Sequence, residues 1–280
     1  MKVLFVFCEG PHDAHFVGRL LKASNLYQEY ITPLKEYPTP LDKFISQKFQ
    51  NRKIEDIRIG RPDNPLVPVC GLKNAEESVL VFPISLGGMD KTSETKSLLE
   101  EICDSFAPDI LERPEFDINA ISILFIYDAD ARGLAGTVQL WNDRFSDRFP
   151  DGIPAAAQWT EQTGYRIGLF VFTGSEEDKG TLEDNLIELF RITNTPLITE
   201  AESFLETHFE ASANGGDEVA YATKRKKGIL TICGQTEKKN AGYALSVVVR
   251  DTELLNDAFD FTDQNTQWTK LLNLVNGAFE

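Results

Sequence analysis

Hydrophobic positions along this chain follow two rhythms. Short apolar runs without helical spacing occupy residues 2–8, 78–85, 121–126 and 165–172. Runs of this length, rich in Val, Ile, Leu and Phe, predict strands buried on both faces, as in a parallel sheet. Between them the apolar spacing becomes helical. Phe16, Val17, Leu20 and Leu21 mark one stripe within residues 12–22, and Leu182, Leu186 and Leu189 or Phe190 mark another, opened by Thr181 as a cap. Further helical patterns cover residues 41–49, 94–106 and 132–149. Later segments at 200–209, 217–232 and 266–279 follow, with a short apolar stretch at 245–249. Strands alternating with helices predict an α/β fold around a mostly parallel sheet.

Residues 25–77 break this rhythm. Tyr37-Pro-Thr-Pro40, Arg61-Pro-Asp-Asn-Pro-Leu-Val-Pro68 and Gly71 are loop signals, and residues 54–59 alternate like an edge strand. The segment reads as an insertion on the sheet, with local positive charge from Arg52, Lys53, Arg58 and Arg61. The expected organisation is an α/β core over 1–195, carrying the insertion at about 25–77, and a mainly helical extension over 196–280 packed on that core.

The strand ends carry the chemistry. The third apolar run leads into Tyr127 and then Asp128-Ala-Asp130. Alternate strand residues point the same way, so both acids are expected to aim at one spot beyond the strand's carboxyl end, the rim where open α/β sheets bind ligands. Neighbouring carboxylates repel, and a hard divalent cation, Mg²⁺ or Mn²⁺, removes the conflict. A turn with Asp at its start is the bland alternative. Glu9-Gly10 ends the first run, just before Pro11 and Asp13, both suited to a first helical turn; Glu9 is a third ligand or an answer to the helix dipole. His12 and His15 have the spacing of a weak metal pair, against a solvated first turn. After the second run, Gly87 and Gly88 could present backbone N–H groups to an anion, with Lys91 as a point charge. A Walker loop is excluded by spacing, since Asp90 and Ser85 stand where glycines are required. Glu183 and Asp184 open a later helix, where acids also serve the dipole. Lys224-Arg-Lys-Lys227 is the densest basic cluster, a solvated face or a phosphate contact.

Composition narrows the function. The net charge of −16 opposes broad, non-specific polyanion binding but leaves room for a local basic groove. The four cysteines are scattered without a Cys-x-x-Cys, so neither a zinc site nor a disulfide frame is indicated. The N-terminal apolar run lacks the length of a signal peptide, and no stretch approaches a membrane span, which makes the cytoplasm the expected location.

Glu-Gly after the first strand, glycines after the second and Asp-x-Asp after the third resemble the Toprim domain of topoisomerases, bacterial primases and overcoming-lysogenisation-defect nucleases. Gly180-Thr-Leu-Glu-Asp-Asn-Leu resembles the stand-alone and nuclease branches. The resemblance covers residues 2 to about 190, interrupted by the insertion. It implies a Toprim-like, Rossmann-like sheet and metal-dependent hydrolysis of DNA or RNA phosphodiesters. Glu9 matches a metal ligand or general acid/base, and Asp128 and Asp130 match Mg²⁺ ligands. Glu183, with Asp184, matches an acid serving a second metal, so one or two ions are implied. Lys224, Lys226 or Lys227 would stand for a nuclease lysine, none aligned individually. No ATPase domain, primase zinc ribbon or topoisomerase cleavage domain accompanies these motifs, and a separate ATPase partner is implied instead. The alternatives are a non-catalytic module binding metal, nucleotide or partner, and an Asp-x-Asp glycosyltransferase or aspartyl-nucleophile phosphatase, neither of which needs Glu9 beside the aspartates.

Overall fold

The computed structural model describes residues 1–48, 67–76, 78–153, 155–174, 178–209 and 218–280, the last segment without the side chains of 218–220. The expected edge strand at 54–59 and the basic residues Arg52, Lys53, Arg58 and Arg61 lie outside the described residues.

In chain order the elements are β1 (Lys2–Cys8), α1 (Pro11–Ala23), β2 (Tyr27–Glu29), α2 (Leu41–Gln47), β3 (Leu72–Asn74), β4 (Val79–Ser85), α3 (Thr92–Ser105), α4 (Pro108–Leu111), β5 (Ala120–Asp128) and α5 (Gly133–Phe145). There follow β6 (Gln158–Gln162), β7 (Tyr165–Phe172), α6 (Leu182–His208), α7 (Glu218–Gln235), α8 (Leu245–Asp251) and α9 (Gln267–Asn276). Among the described residues they form an α/β, Rossmann-like fold on one seven-stranded sheet in the order β2-β3-β4-β1-β5-β7-β6. The four long apolar strands are the parallel centre, β4-β1-β5-β7. The edges run antiparallel: β2 pairs β3 and β3 pairs β4 on one side, and β6 pairs β7 on the other. Both ends of the predicted insertion thus widen the sheet.

The two-residue period of a strand sorts the core into layers. Leu4, Val6 and Cys8 of β1, with Leu124 and Ile126 of β5 and Phe170 and Phe172 of β7, pack under α1, α6, α7, α8 and α9. Val3, Phe5, Phe7, Ile123, Phe125, Ile167 and Leu169 face the opposite layer, built on α2, α3, α4 and α5. Trp141 and Phe145 pack there against Phe125, and Phe149 stacks on Trp141. Pro83 cannot donate to a ladder, yet it sits in β4, where β3 pairs only with Leu80 and Val81.

The helical C-terminal segments share the first layer with the strands. Leu271, Val275, Ile229, Leu230 and Val249 belong to the same cluster as Leu4 and Ile126. Arg19 ties α1 to the end of α8 through Arg250 O, Thr252 O and Asn256 Oδ1 at 3.3, 3.0 and 2.8 Å. Sequence patterning predicts separate helices near 182–190 and 200–209. The structure agrees: the span α6 is two helices, separated at Asn194, whose backbone is non-helical (φ −151°, ψ 74°), with Pro196 just beyond the break. Among the described residues no helix is long and apolar enough to cross a membrane.

Candidate functional site

The carboxyl ends of β1 and β5 lie side by side, because Cys8 pairs with Ile126 in register and Glu9 N–H donates to Ile126 O at 3.2 Å. That register brings Glu9 to Asp128. Asp128 shares the parity of Leu124 and Ile126, on the layer of α1 and α6. Its Oδ1 accepts the Leu182 N–H at 2.8 Å, so the first turn of α6 closes onto the end of β5. Across the turn from Glu9, the buried Asp13 accepts the Gly10 N–H at 2.8 Å and caps α1.

These acids share a low-dielectric space. Burial, then Asp13 and Asp130, push the Glu9 carboxyl up to about 7, against a backbone N–H of Asp128 and the charge of Arg132. Burial raises Asp128 well above the ordinary carboxylate range, and Asp13, Glu183 and Glu9 add to it. Asp13 is raised for the same first reason. The Oε2 atom of Glu9 is buried without a hydrogen-bond partner. Three carboxylates that resist ionisation thus gather around an orphaned oxygen, with His12 Nε2 3.8 Å from Asp13 on one side.

Glu183 stands apart from them in its electrostatics. It is 1% exposed, and burial would raise it, but His12 and Lys227 hold it down to about 2. His12 Nε2 lies 3.1 Å and Lys227 Nζ 3.5 Å from Glu183 Oε1. Asp184 commits both oxygens: Lys226 Nζ lies 2.7 Å from Oδ1, and Oδ2 accepts the Thr181 N–H at 2.9 Å. The Lys226–Lys227 end of the basic cluster therefore faces the site from α7, while Lys224 lies on the exposed side of that helix.

Several expectations change. Asp130 does not continue the strand alternation. β5 ends at Asp128, and Asp130 takes a left-handed backbone (φ +50°) that exchanges hydrogen bonds with Gly180. Its carboxylate turns to Arg132, 2.5 Å away, though its charge still reaches Glu9. Gly87 and Gly88 adopt positive φ as a tight turn requires, but the Gly88 N–H is spent on Glu9 O at 2.8 Å and cannot serve an anion. Lys91 is half-exposed and points to Glu94 at 3.4 Å. The two histidines part company: His12 joins the site, whereas His15 faces Arg250 and Asp251, and burial lowers it to about 4. Among the described residues no three His, Cys, Asp or Glu side chains are gathered in position to hold one ion.

Asp13 and His12 are the site residues that sequence reasoning undervalues. The signal was present, as two acids four residues apart across a strand-to-helix turn, but a first-turn acid already has a sufficient explanation in the helix dipole.

No family model matches the chain, and no curated protein matches it. A solved structure, a hypothetical protein from Pyrococcus horikoshii OT3, is similar over 99% of this chain and 95% of that one, at 14% identity and a TM-score of 0.45.

Proposed function

We propose that this protein is a divalent-metal-dependent phosphodiesterase acting on nucleic acid through a Toprim-like site. The observation that carries the proposal is the buried, partnerless Oε2 of Glu9 beside Asp128, both carboxyls pushed up by burial and mutual repulsion. A hard cation is the species that two such carboxylates fit. Glu9 and Asp128 would hold it, and when bound it would supply Lewis acidity and an activated water.

The chain's own groups divide the remaining work. Gly10, Thr181 and Leu182 donate their N–H groups to Asp13, Asp184 and Asp128, so these helix-start donors position the acids and are unavailable to a phosphate. Positive charge for the phosphate would come from Lys226 and Lys227, which reach the site from α7. His12, fixed against Glu183, sets where Glu183 stands. In a chain of net charge −16, these cations are what would admit a polyanion.

The test is cleavage of single- and double-stranded DNA and RNA with Mg²⁺ or Mn²⁺, comparing the native chain with Asp128→Ala. Loss of metal-dependent cleavage in the variant is the expected result; equal cleavage by both proteins refutes it. A second reading, a non-catalytic metal- or partner-binding module, is favoured by the ion pairs already made by Asp130 and Asp184. Calorimetric Mg²⁺ binding without nucleic-acid affinity at low salt would select that module.

A further inference from the structure

Cations are unevenly distributed around the site. The acids at the start of α6 carry their own: Lys227 and His12 at 3.5 and 3.1 Å from Glu183, and Lys226 at 2.7 Å from Asp184. Arg132 does the same for Asp130 at 2.5 Å. Among the described residues no ion pair reaches Glu9 or Asp128. Paired cations are therefore lacking at the Glu9–Asp128 end, although Glu183 Oε1, like Glu9 Oε2, is buried without a hydrogen-bond partner.

Sites that use two metals place the ions about 3.5–4 Å apart, with acids bridging or flanking both. A second ion beside Glu183 and Asp184 would meet two ammonium groups already seated there. It would also have to take Asp184 oxygens bound to Lys226 and to the Thr181 N–H that begins α6. Glu183 is almost fully buried, so it cannot swing outward to collect an ion from solvent.

We infer, building on the metal-dependent function proposed above, that Lys226 and Lys227 occupy the electrostatic place of a second ion, so that the site takes one divalent cation at Glu9 and Asp128. The lysines hold Glu183 and Asp184 and leave the second cation without a seat. Of the one or two ions that the sequence resemblance implies, one remains, at the β1–β5 end, with ammonium groups at the α6 end.

The experiment is calorimetric titration of the full chain with Mn²⁺, paired with electron paramagnetic resonance of the bound metal. One ion per chain with an uncoupled six-line spectrum is expected, and Glu9→Gln should abolish it. Two ions, or a spin-coupled pair, in the native chain overturn the inference while leaving the metal-dependent function standing. No bound ion overturns both. Lys226→Met combined with Lys227→Met should raise the stoichiometry to two; a folded double variant that still binds one ion refutes the role given to the lysines. Should that variant fail to fold, Lys226→Arg with Lys227→Arg keeps the charge and must still bind one ion, and two ions there would refute the role equally.

Discussion

Replacing Glu9 by Gln should stabilise the metal-free protein while abolishing its proposed metal binding. The folded environment holds the Glu9 carboxyl at about 7 against an ordinary 4.5, chiefly through burial. Between those values the folded chain binds more protons than the unfolded chain, so this group makes stability fall as pH rises from about 4.5 to about 7, after which the penalty is constant. At ~1.4 kcal/mol per pH unit, the full penalty above pH 7 has an upper bound of about 3.5 kcal/mol. Gln keeps the shape and carries no charge, so it removes the penalty, less the cost of burying an amide NH₂ that must find a partner. A net gain of ~1–2 kcal/mol corresponds to a melting rise of roughly 2–8 °C for a chain of this size. Thermal unfolding by circular dichroism at pH 8 and pH 5, in chelator, measures it. The gain should be largest at pH 8 and shrink to under ~1 kcal/mol at pH 5. Saturating Mg²⁺ should stabilise the native chain and leave the variant unmoved. A variant less stable than the native chain at pH 8 in chelator would show that Glu9 is satisfied, and the charge deficit would disappear with it.

Three further outcomes follow from other contacts. His12→Ala leaves the buried Glu183 with Lys227 and the Thr181 hydroxyl, and should cost ~1–3 kcal/mol in urea unfolding near pH 6. His12 is raised above 6.5, so its contribution is complete below that value and fades as pH climbs through the folded value; the loss must be smaller at pH 9. Gly180→Ala places a methyl 2.2 Å from Gly174 N at φ +123°, and should lower the melting temperature and loosen α6 from Asp130, read as faster exchange of the Asp130 amide. Arg19→Ala removes three hydrogen bonds between α1 and the end of α8 and should cost ~1.5–3 kcal/mol in denaturant unfolding; no change would mean the staple is idle.

The parallel centre was legible because its strands are buried on both faces and therefore write themselves as uninterrupted apolar runs. The edges were not. Gln158–Gln162 forms β6 with a polar, half-exposed sequence, and β2 and β3 span three residues each, too few for a period to register. Asp128 was readable from its place at the end of β5, whereas Asp130 misled because alternation holds only while the backbone stays extended, and the chain turns left-handed there. The pairing of Lys226 with Asp184 joins residues 42 positions apart, so local pattern carries no trace of it. The two helices within α6 were legible as two, since the break at Asn194 and Pro196 is a helix end followed by a new start.

β1 is bordered on both sides by parallel partners and roofed by a packed layer above and below. Every amide within it can open only if the whole sheet parts, so its hydrogens should be among the last to exchange with deuterated water. Glu9 hangs from the end of that strand. A cation held there, as proposed, would be anchored to the end of a central strand, and its seat should open with the sheet rather than with a loop.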